Sequence, residues 1–404
     1  MTNIIREEKL RTFNYDDKRI SIALMSSFVI LTIQYLILIY FNLLESSIGS
    51  NIQLLSKGLV GIIYIYAFPS TLKRSRIRFI VVNFIALFAF LIHFVIFPAN
   101  RDHIVDLLFP FFFMCLPTFV YTLSIQNFAI FEEAMRKSSY IVFITGLLLG
   151  VLIFSRKASV GSYSMSLSYY MLLPALLFLD KLMERFSLKT FIPLILSLLI
   201  ILSLGSRGAI LCILVFIFFK FFSPYFKKSY KKIIIRVALL MIGFIILIFL
   251  DNIIESLYNF LLSFGINSRT LILFLEDGVH LSGRDTIYKN TIAEILKSPL
   301  IGIGIAGDRR ITDGYAHNFF IEMIGGFGLI IGSIICISII FLVIKSLLTK
   351  DKEKYDLTIM WLSLGFVHLM VSSSYLIDIK FWILMGLLMN CKFSKLSVKF
   401  LNSK

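Results

Sequence analysis

Twelve apolar runs, most of them close to the length that crosses a bilayer, dictate where this chain can fold. They fall near residues 20–42, 52–70, 79–99, 107–130, 138–155, 165–180, 190–205, 208–224, 233–250, 316–344, 357–374 and 376–391. A helix rises 1.5 Å per residue, so about 20 apolar residues cover ~30 Å of hydrocarbon. Pro174, Pro193 and Gly208 shorten or split several runs, which sets the range at eleven to thirteen spans. Only 16% of the residues are charged and 58% are hydrophobic, against roughly 25% charged in soluble domains. The sequence therefore predicts an all-α membrane protein of about 12 transmembrane helices and excludes a water-soluble globule.

The net charge of +16 would suit nucleic acid, but the cations sit in short clusters between apolar runs, where they face lipid headgroups and fix orientation. No nucleic-acid partner is expected; membrane lipids are. With the N-terminus inside, the alternate inside segments hold 28 of the 40 Lys and Arg residues. The short outside loops hold only Arg101, Arg156, Lys157, Arg207 and Lys380. This bias predicts a multi-pass protein with both termini cytoplasmic. Residues 1–19 are mixed in charge and lack a cleavage pattern, so the first run is expected to be retained. The four cysteines show neither a disulfide framework nor paired metal spacing.

Three parts follow along the chain: residues 1–250 with nine spans, a large external segment 251–315, and residues 316–404 with three spans and a cytoplasmic tail. No repeat of 20 to 50 residues and no duplicated halves are evident. Within the external segment, Ile253, Ile254, Leu257, Phe260, Leu261 and Phe264 recur at helical spacing, as in a helix lying on a membrane surface. A second helix is predicted from Gly283 to Lys297, capped by Ser282, with Ile287, Tyr288, Ile292, Ile295 and Leu296 as its apolar stripe. The external segment is thus expected to be a structured cap.

Three groups of residues could carry chemistry at the outer ends of spans. Ser206-Arg207-Gly208 interrupts a long apolar stretch, placing Arg207 where a helix begins; a guanidinium beside unpaired backbone N–H groups suits phosphate oxygens. The alternative is an arginine snorkelling from a hairpin. Ser282-Gly283-Arg284-Asp285 places Arg284 at another helix start, where it would bind phosphate or pair with Asp285 or Glu276. His317, with Asn318 and Glu322, opens the tenth run, where an imidazole could take up a proton near neutral pH. Glu322 lies far enough in to need a partner such as an Arg or His. His103, beside Arg101 and Asp102, is an accessory candidate.

Gly302-x-Gly304-x-x-Gly307 fits a dinucleotide fingerprint, but it follows a helix and a proline and precedes Asp308-Arg309-Arg310 rather than a helix. Its glycines are expected to let a loop pass close to other backbone or to a ligand. Asp313 and His317 are spaced to share a helix face with Asp308 nearby, yet no nitrogen or sulfur ligand is close to complete a metal site. No metal or other cofactor is expected.

Taken in order, Leu204-Gly-Ser206-Arg207-Gly208-Ala209, Ser282-Gly283-Arg284, Lys297-Ser-Pro299-Leu-Ile-Gly302-Ile-Gly304 and His317-Asn318-Phe-Phe-Ile-Glu322-Met-Ile-Gly-Gly-Phe-Gly328 resemble the successive motifs of the O-antigen ligase and O-antigen polymerase superfamily. These are bacterial inner-membrane glycosyltransferases of the GT-C type, with a large external loop between two late spans. The resemblance covers roughly residues 190–335. It implies that Arg207 and Arg284 grip the pyrophosphate of an undecaprenyl-linked glycan, that His317 is the essential histidine near the acceptor, and that all three converge at the non-cytoplasmic surface. It also implies a metal-independent, inverting transfer and, as partners, a chain-length regulator and a flippase. Tyr288 stands where a tryptophan is common, and Gly325-Gly326 replaces bulkier or acidic residues. Polymerase and ligase share these motifs; an Ile-, Phe- and Lys-rich composition, which suggests an AT-rich genome, inclines the expectation toward a polymerase for capsule or O-antigen. A lipid-linked oligosaccharide flippase is the alternative from another class.

Overall fold

The computed structural model describes residues 2–44, 46–154, 165–203, 206–225, 241, 250–265 and 284–390. Among them every regular element is a helix, the form in which a chain satisfies its own backbone groups inside lipid. Five of these helices are long and apolar enough to cross a membrane: Asn14–Tyr40, Ser47–Ile96, Pro98–Ser124, Phe128–Leu152 and Phe319–Leu347. Leu188–Leu202, Gly208–Phe221 and Ile379–Met389 are apolar but shorter, and most of the run at 233–250 lies outside the described residues. Five helices thus meet the length and apolarity of a crossing among the described residues, and one of them, Ser47–Ile96, holds two of the twelve runs.

The second and third runs are joined without a loop. Both lie in one helix of 50 residues, Ser47–Ile96, which departs from helical geometry at Ser75 (φ −142°, ψ 33°) instead of opening into a loop. The intervening Lys73-Arg74-Ser75-Arg76 carries no glycine or proline to start a turn. Within the run at 107–130, the helix that ends at Ser124 carries a π-turn at Phe111–Cys115, next to Pro110.

The chain forms two compact units. The first comprises Met1–Ser27, Gly58–Met135 and Leu281–Lys404; the second comprises Phe28–Lys57 and Arg136–His280. In the first unit, the helix Ile379–Met389 packs along Leu116–Ser124. Beyond its end, the Asn390 amide donates to the carbonyls of Thr122, Leu123 and Ile125 at 3.3, 3.2 and 3.0 Å, satisfying groups that a helix end leaves open. Asp17, fully buried, pairs with Arg74 and accepts the Gln126 and Asn127 N–H groups at 3.0 and 3.1 Å. These contacts tie three helices together at the end read as cytoplasmic. In the second unit, Met165–Glu184 packs along Leu188–Ser203 and against Arg207–Phe221. Tyr140 and Phe143 pack edge-on against Phe178, and the buried Lys220 pairs with Asp180.

Both helices expected in the external segment form, as Leu250–Ser263 and Arg284–Lys297. Ser282 and Gly283 lie outside the described residues. The buried line of the second helix runs through Thr291 and Ile295, with Ile287 and Tyr288 half-buried. Ile292 and Leu296, read as part of the stripe, are instead 43% and 70% exposed. The helix docks through an i, i+4 line rather than its most apolar side, because Ile295 meets the loop and helix around Gly325.

Candidate functional site

Arg284, His317, Asn318 and Glu322 fall in the first unit, Ser206 and Arg207 in the second. Ser206 caps the helix Arg207–Phe221, its buried hydroxyl accepting the Ala209 N–H at 3.3 Å. Arg207 is the first residue of that helix; its side chain lies outside the described residues.

The first-unit site starts from a backbone contact. After Lys297 the chain turns through Gly302 and Gly304, at φ +78° and +82°. The Ile303 N–H donates to the Gly325 carbonyl at 2.8 Å, and the Leu329 N–H to the Pro299 carbonyl at 2.7 Å. The second bond needs a break in the helix Phe319–Leu347, and the break occurs at Gly328 (φ 76°, ψ 171°). A Cβ on Gly328 would lie 2.0 Å from the Leu300 carbonyl oxygen, and one on Gly302 would lie 2.3 Å from that of Gly325. The glycine-rich run therefore serves close passage of backbone on backbone, as the sequence suggested. Asn100 donates to the carbonyls of Ile303 and Ile305 at 2.8 and 3.2 Å, and the Ile305 N–H donates to His93 Nδ1 at 3.1 Å.

Beyond this loop a short helix, Gly307–Thr312, lies between left-handed residues Ala306 and Asp313 at φ 64° and 53°. His317 is also left-handed, at φ 53°, as is Ser373 at 78°. Four non-glycine residues in this costly region, gathered around one loop and the hairpin beside it, mark a place where packing holds strained backbone. Asp313 and His317 therefore do not share a helix face, and the described residues contain no metal-binding group of His, Cys, Asp and Glu.

Glu322 finds its cation. The buried Arg309 contacts Asp308 at 3.1 Å and Glu322 at 3.5 Å, and donates to the Ser374 hydroxyl at 2.9 Å; Ser374 in turn donates to Glu322. The second Asp308 oxygen accepts the Ala316 N–H at 2.8 Å. Asn318 caps the helix Phe319–Leu347, its Oδ1 accepting the Phe320 and Ile321 N–H groups at 3.0 and 3.3 Å.

His317 sits at the mouth of this helix. Tyr315 packs on its ring at a centroid distance of 4.3 Å, and the Tyr288 hydroxyl donates to its carbonyl at 3.4 Å. Its Nδ1 is buried and has no hydrogen-bond partner among the described residues. Burial, and secondarily the Arg284 guanidinium, push the imidazole pKa down to about 4. The ring is therefore neutral at physiological pH, rather than titrating near neutrality, because both causes disfavour a second cation there. Arg284 itself, half-buried at the start of its helix, makes no ion pair with Asp285 or any other described residue. Glu276, the other partner expected for it, lies outside the described residues; among those described, the guanidinium is uncommitted and within electrostatic reach of the neutral imidazole.

Sequence reasoning missed Asp308, Arg309, Ser374 and Tyr315 as parts of this arrangement. Asp308-Arg309-Arg310 was visible as a charged run, but its partner Ser374 is 65 residues away from Arg309. His93 and His368 are engaged structurally, His93 by the Ile305 N–H and His368 Nδ1 by Asp378 at 2.6 Å. His103 makes no contact with the site residues described above, and His280 lies outside the described residues.

No curated protein and no solved structure matches the chain. Residues 192–336 match a family model described as O-antigen ligase, the stretch that holds Ser206, Arg207, Arg284, His317, Asn318 and Glu322. That match, over a little more than a third of the chain, supports the O-antigen ligase and polymerase superfamily for this stretch.

Proposed function

We propose that this protein is a glycosyltransferase of the bacterial inner or plasma membrane, crossing it about twelve times with both termini inside. In this reading it polymerises oligosaccharide repeat units carried on undecaprenyl pyrophosphate, for capsule or O-antigen. The observation that carries the proposal is the Arg284 guanidinium, without an ion pair among the described residues, within electrostatic reach of the neutral His317 and inside the family-matched stretch.

The chemistry follows from those two groups. A hydroxyl of the acceptor sugar attacks the anomeric carbon of the donor; the new C–O bond forms as the bond to pyrophosphate breaks, with inversion. The hydroxyl proton passes to the neutral imidazole of His317, and the departing pyrophosphate takes the bonding pair. Arg284 stabilises the charge that grows on the phosphate oxygens. Arg207, first in its helix behind the Ser206 cap, is assigned as a second phosphate contact by the resemblance and by the affinity of helix N-termini for anions.

Transfer of the glycan onto lipid A core is a second reading, favoured by the description of the matched family as O-antigen ligase. Purified protein in vesicles, given lipid-linked repeat units at its outer face without ATP or an ion gradient, separates these readings. Chain growth supports the polymerase. Transfer only when lipid A core is added identifies the ligase, and movement of the donor across the bilayer without growth identifies a flippase.

A further inference from the structure

The family match and the proposed transfer leave open what keeps His317 in its left-handed backbone conformation. A histidine at φ 53° is costly by roughly 1–3 kcal/mol, so its surroundings must hold it. Three contacts converge on the turn. The Tyr288 hydroxyl reaches the His317 carbonyl, Tyr315 packs against the ring, and a buried Asp308 oxygen accepts the Ala316 N–H at 2.8 Å. The third is the strongest, a short charge-assisted bond to the residue directly before His317. It closes a ring from residue 308 to residue 316, further tightened by the Thr312 hydroxyl, whose one proton has the carbonyls of Asp308 at 3.0 Å and Gly314 at 2.9 Å as acceptors.

The other Asp308 oxygen is fixed by Arg309, whose remaining contacts run to Ser374 and Glu322. Arg309 is thereby occupied by two buried carboxylates and a hydroxyl. Although it neighbours the site in sequence, it serves to aim a carboxylate rather than to meet donor phosphate.

We propose that Asp308 is the positioning residue of His317: its carboxylate, aimed by Arg309, locks the Tyr315–His317 turn so that the imidazole is presented to the acceptor hydroxyl. This rests on the reading of His317 as the base. Correct aim matters because a displacement of about 1 Å can cost on the order of 10²-fold in rate.

Two substitutions separate aim from charge. Asp308→Asn keeps an acceptor oxygen opposite the Ala316 N–H and removes the charge; Asp308→Glu keeps the charge and displaces the oxygen. Both are assayed in the reconstituted full-length protein, with lipid-linked repeat units extracted from cells in which this gene is deleted. Asp308→Asn, whose amide keeps one acceptor oxygen but turns a donor toward Arg309, should lose about 3-fold in kcat, and Asp308→Glu about 10-fold or more, with the donor KM near wild type in both. A fully active Glu variant with an impaired Asn variant would assign the carboxylate to charge balance with Arg309 and overturn the proposal. Equal loss in both, or no loss in either, overturns it too, as does a change confined to KM. If the wild-type protein itself shows no turnover, the functional reading fails and the role of Asp308 falls with it; if wild type turns over, these outcomes bear on Asp308 alone.

Discussion

At the scale of single residues, the proposed mechanism gives the proton to His317 and the phosphate to Arg284. His317→Ala should lower turnover by roughly 10²- to 10⁴-fold, read as repeat-unit transfer at equal protein amounts; near-normal glycan length would remove its role as base. Its pKa near 4 sets the sign of the pH dependence. The neutral ring is the one that accepts a proton, so kcat/KM should hold steady through neutrality and fall only as pH drops toward 4. Donor pyrophosphate offsets the Arg284 charge, so the acid limb of kcat, which reports the bound complex, should lie above that of kcat/KM. Arg284→Gln removes one cause of the depressed pKa and should raise the acid limb in kcat/KM; an unmoved limb would show that the two groups do not communicate. Arg284→Lys should raise the donor KM by about 10-fold, because an ammonium cannot grip phosphate in two parallel bonds. Donor titrations with that variant provide the check.

Among elements, the contact between the 299–304 loop and the broken helix Phe319–Leu347 ties the loop to the helix that follows His317. Gly328→Ala should destabilise the protein by roughly 1–3 kcal/mol or more, since a Cβ would lie 2.0 Å from the Leu300 carbonyl oxygen at a left-handed position. A thermal unfolding midpoint in detergent equal to that of wild type would contradict it. This element also shows where sequence is legible. The helix Arg284–Lys297 was readable because its 3.6-residue period and the following proline are local signals. The glycines at 302, 304 and 328 announced close backbone passage, but not which backbone they would meet. The need of Glu322 for a cation was readable from the cost of a lone charge in lipid, whereas its identity as Arg309, with Ser374 shared between them, depends on packing across 52 residues from Glu322 to Ser374. Apolar periodicity likewise located the runs at 52–70 and 79–99 without showing that a kink at Ser75, rather than a loop, separates them.

For the whole molecule, the orientation read from lysine and arginine turns on the helix Phe319–Leu347. The break at Gly328 leaves residues 329–347 as a continuous helical piece of about 28 Å at 1.5 Å per residue, close to the ~30 Å of hydrocarbon. Leu329, Ile330, Ile331, Ile334, Ile337, Phe341 and Ile344 on this piece are exposed, as befits a surface turned to lipid chains. One crossing therefore separates the His317 end from the cluster Lys345, Lys350, Lys352 and Lys354. Positive charge gathers on the cytoplasmic side, so the proposed orientation has the imidazole outward, where a flipped polyprenyl-linked donor would meet it. Lys289 and Lys350, both exposed, test this directly. In a background with Cys391 replaced by Ser, a membrane-impermeant maleimide added to intact cells should label Lys289→Cys and spare Lys350→Cys until the membrane is opened. Labelling of both from outside would show that residues 329–347 do not cross. Labelling of Lys350→Cys alone would turn His317 toward the cytoplasm and end the case for an externally presented donor.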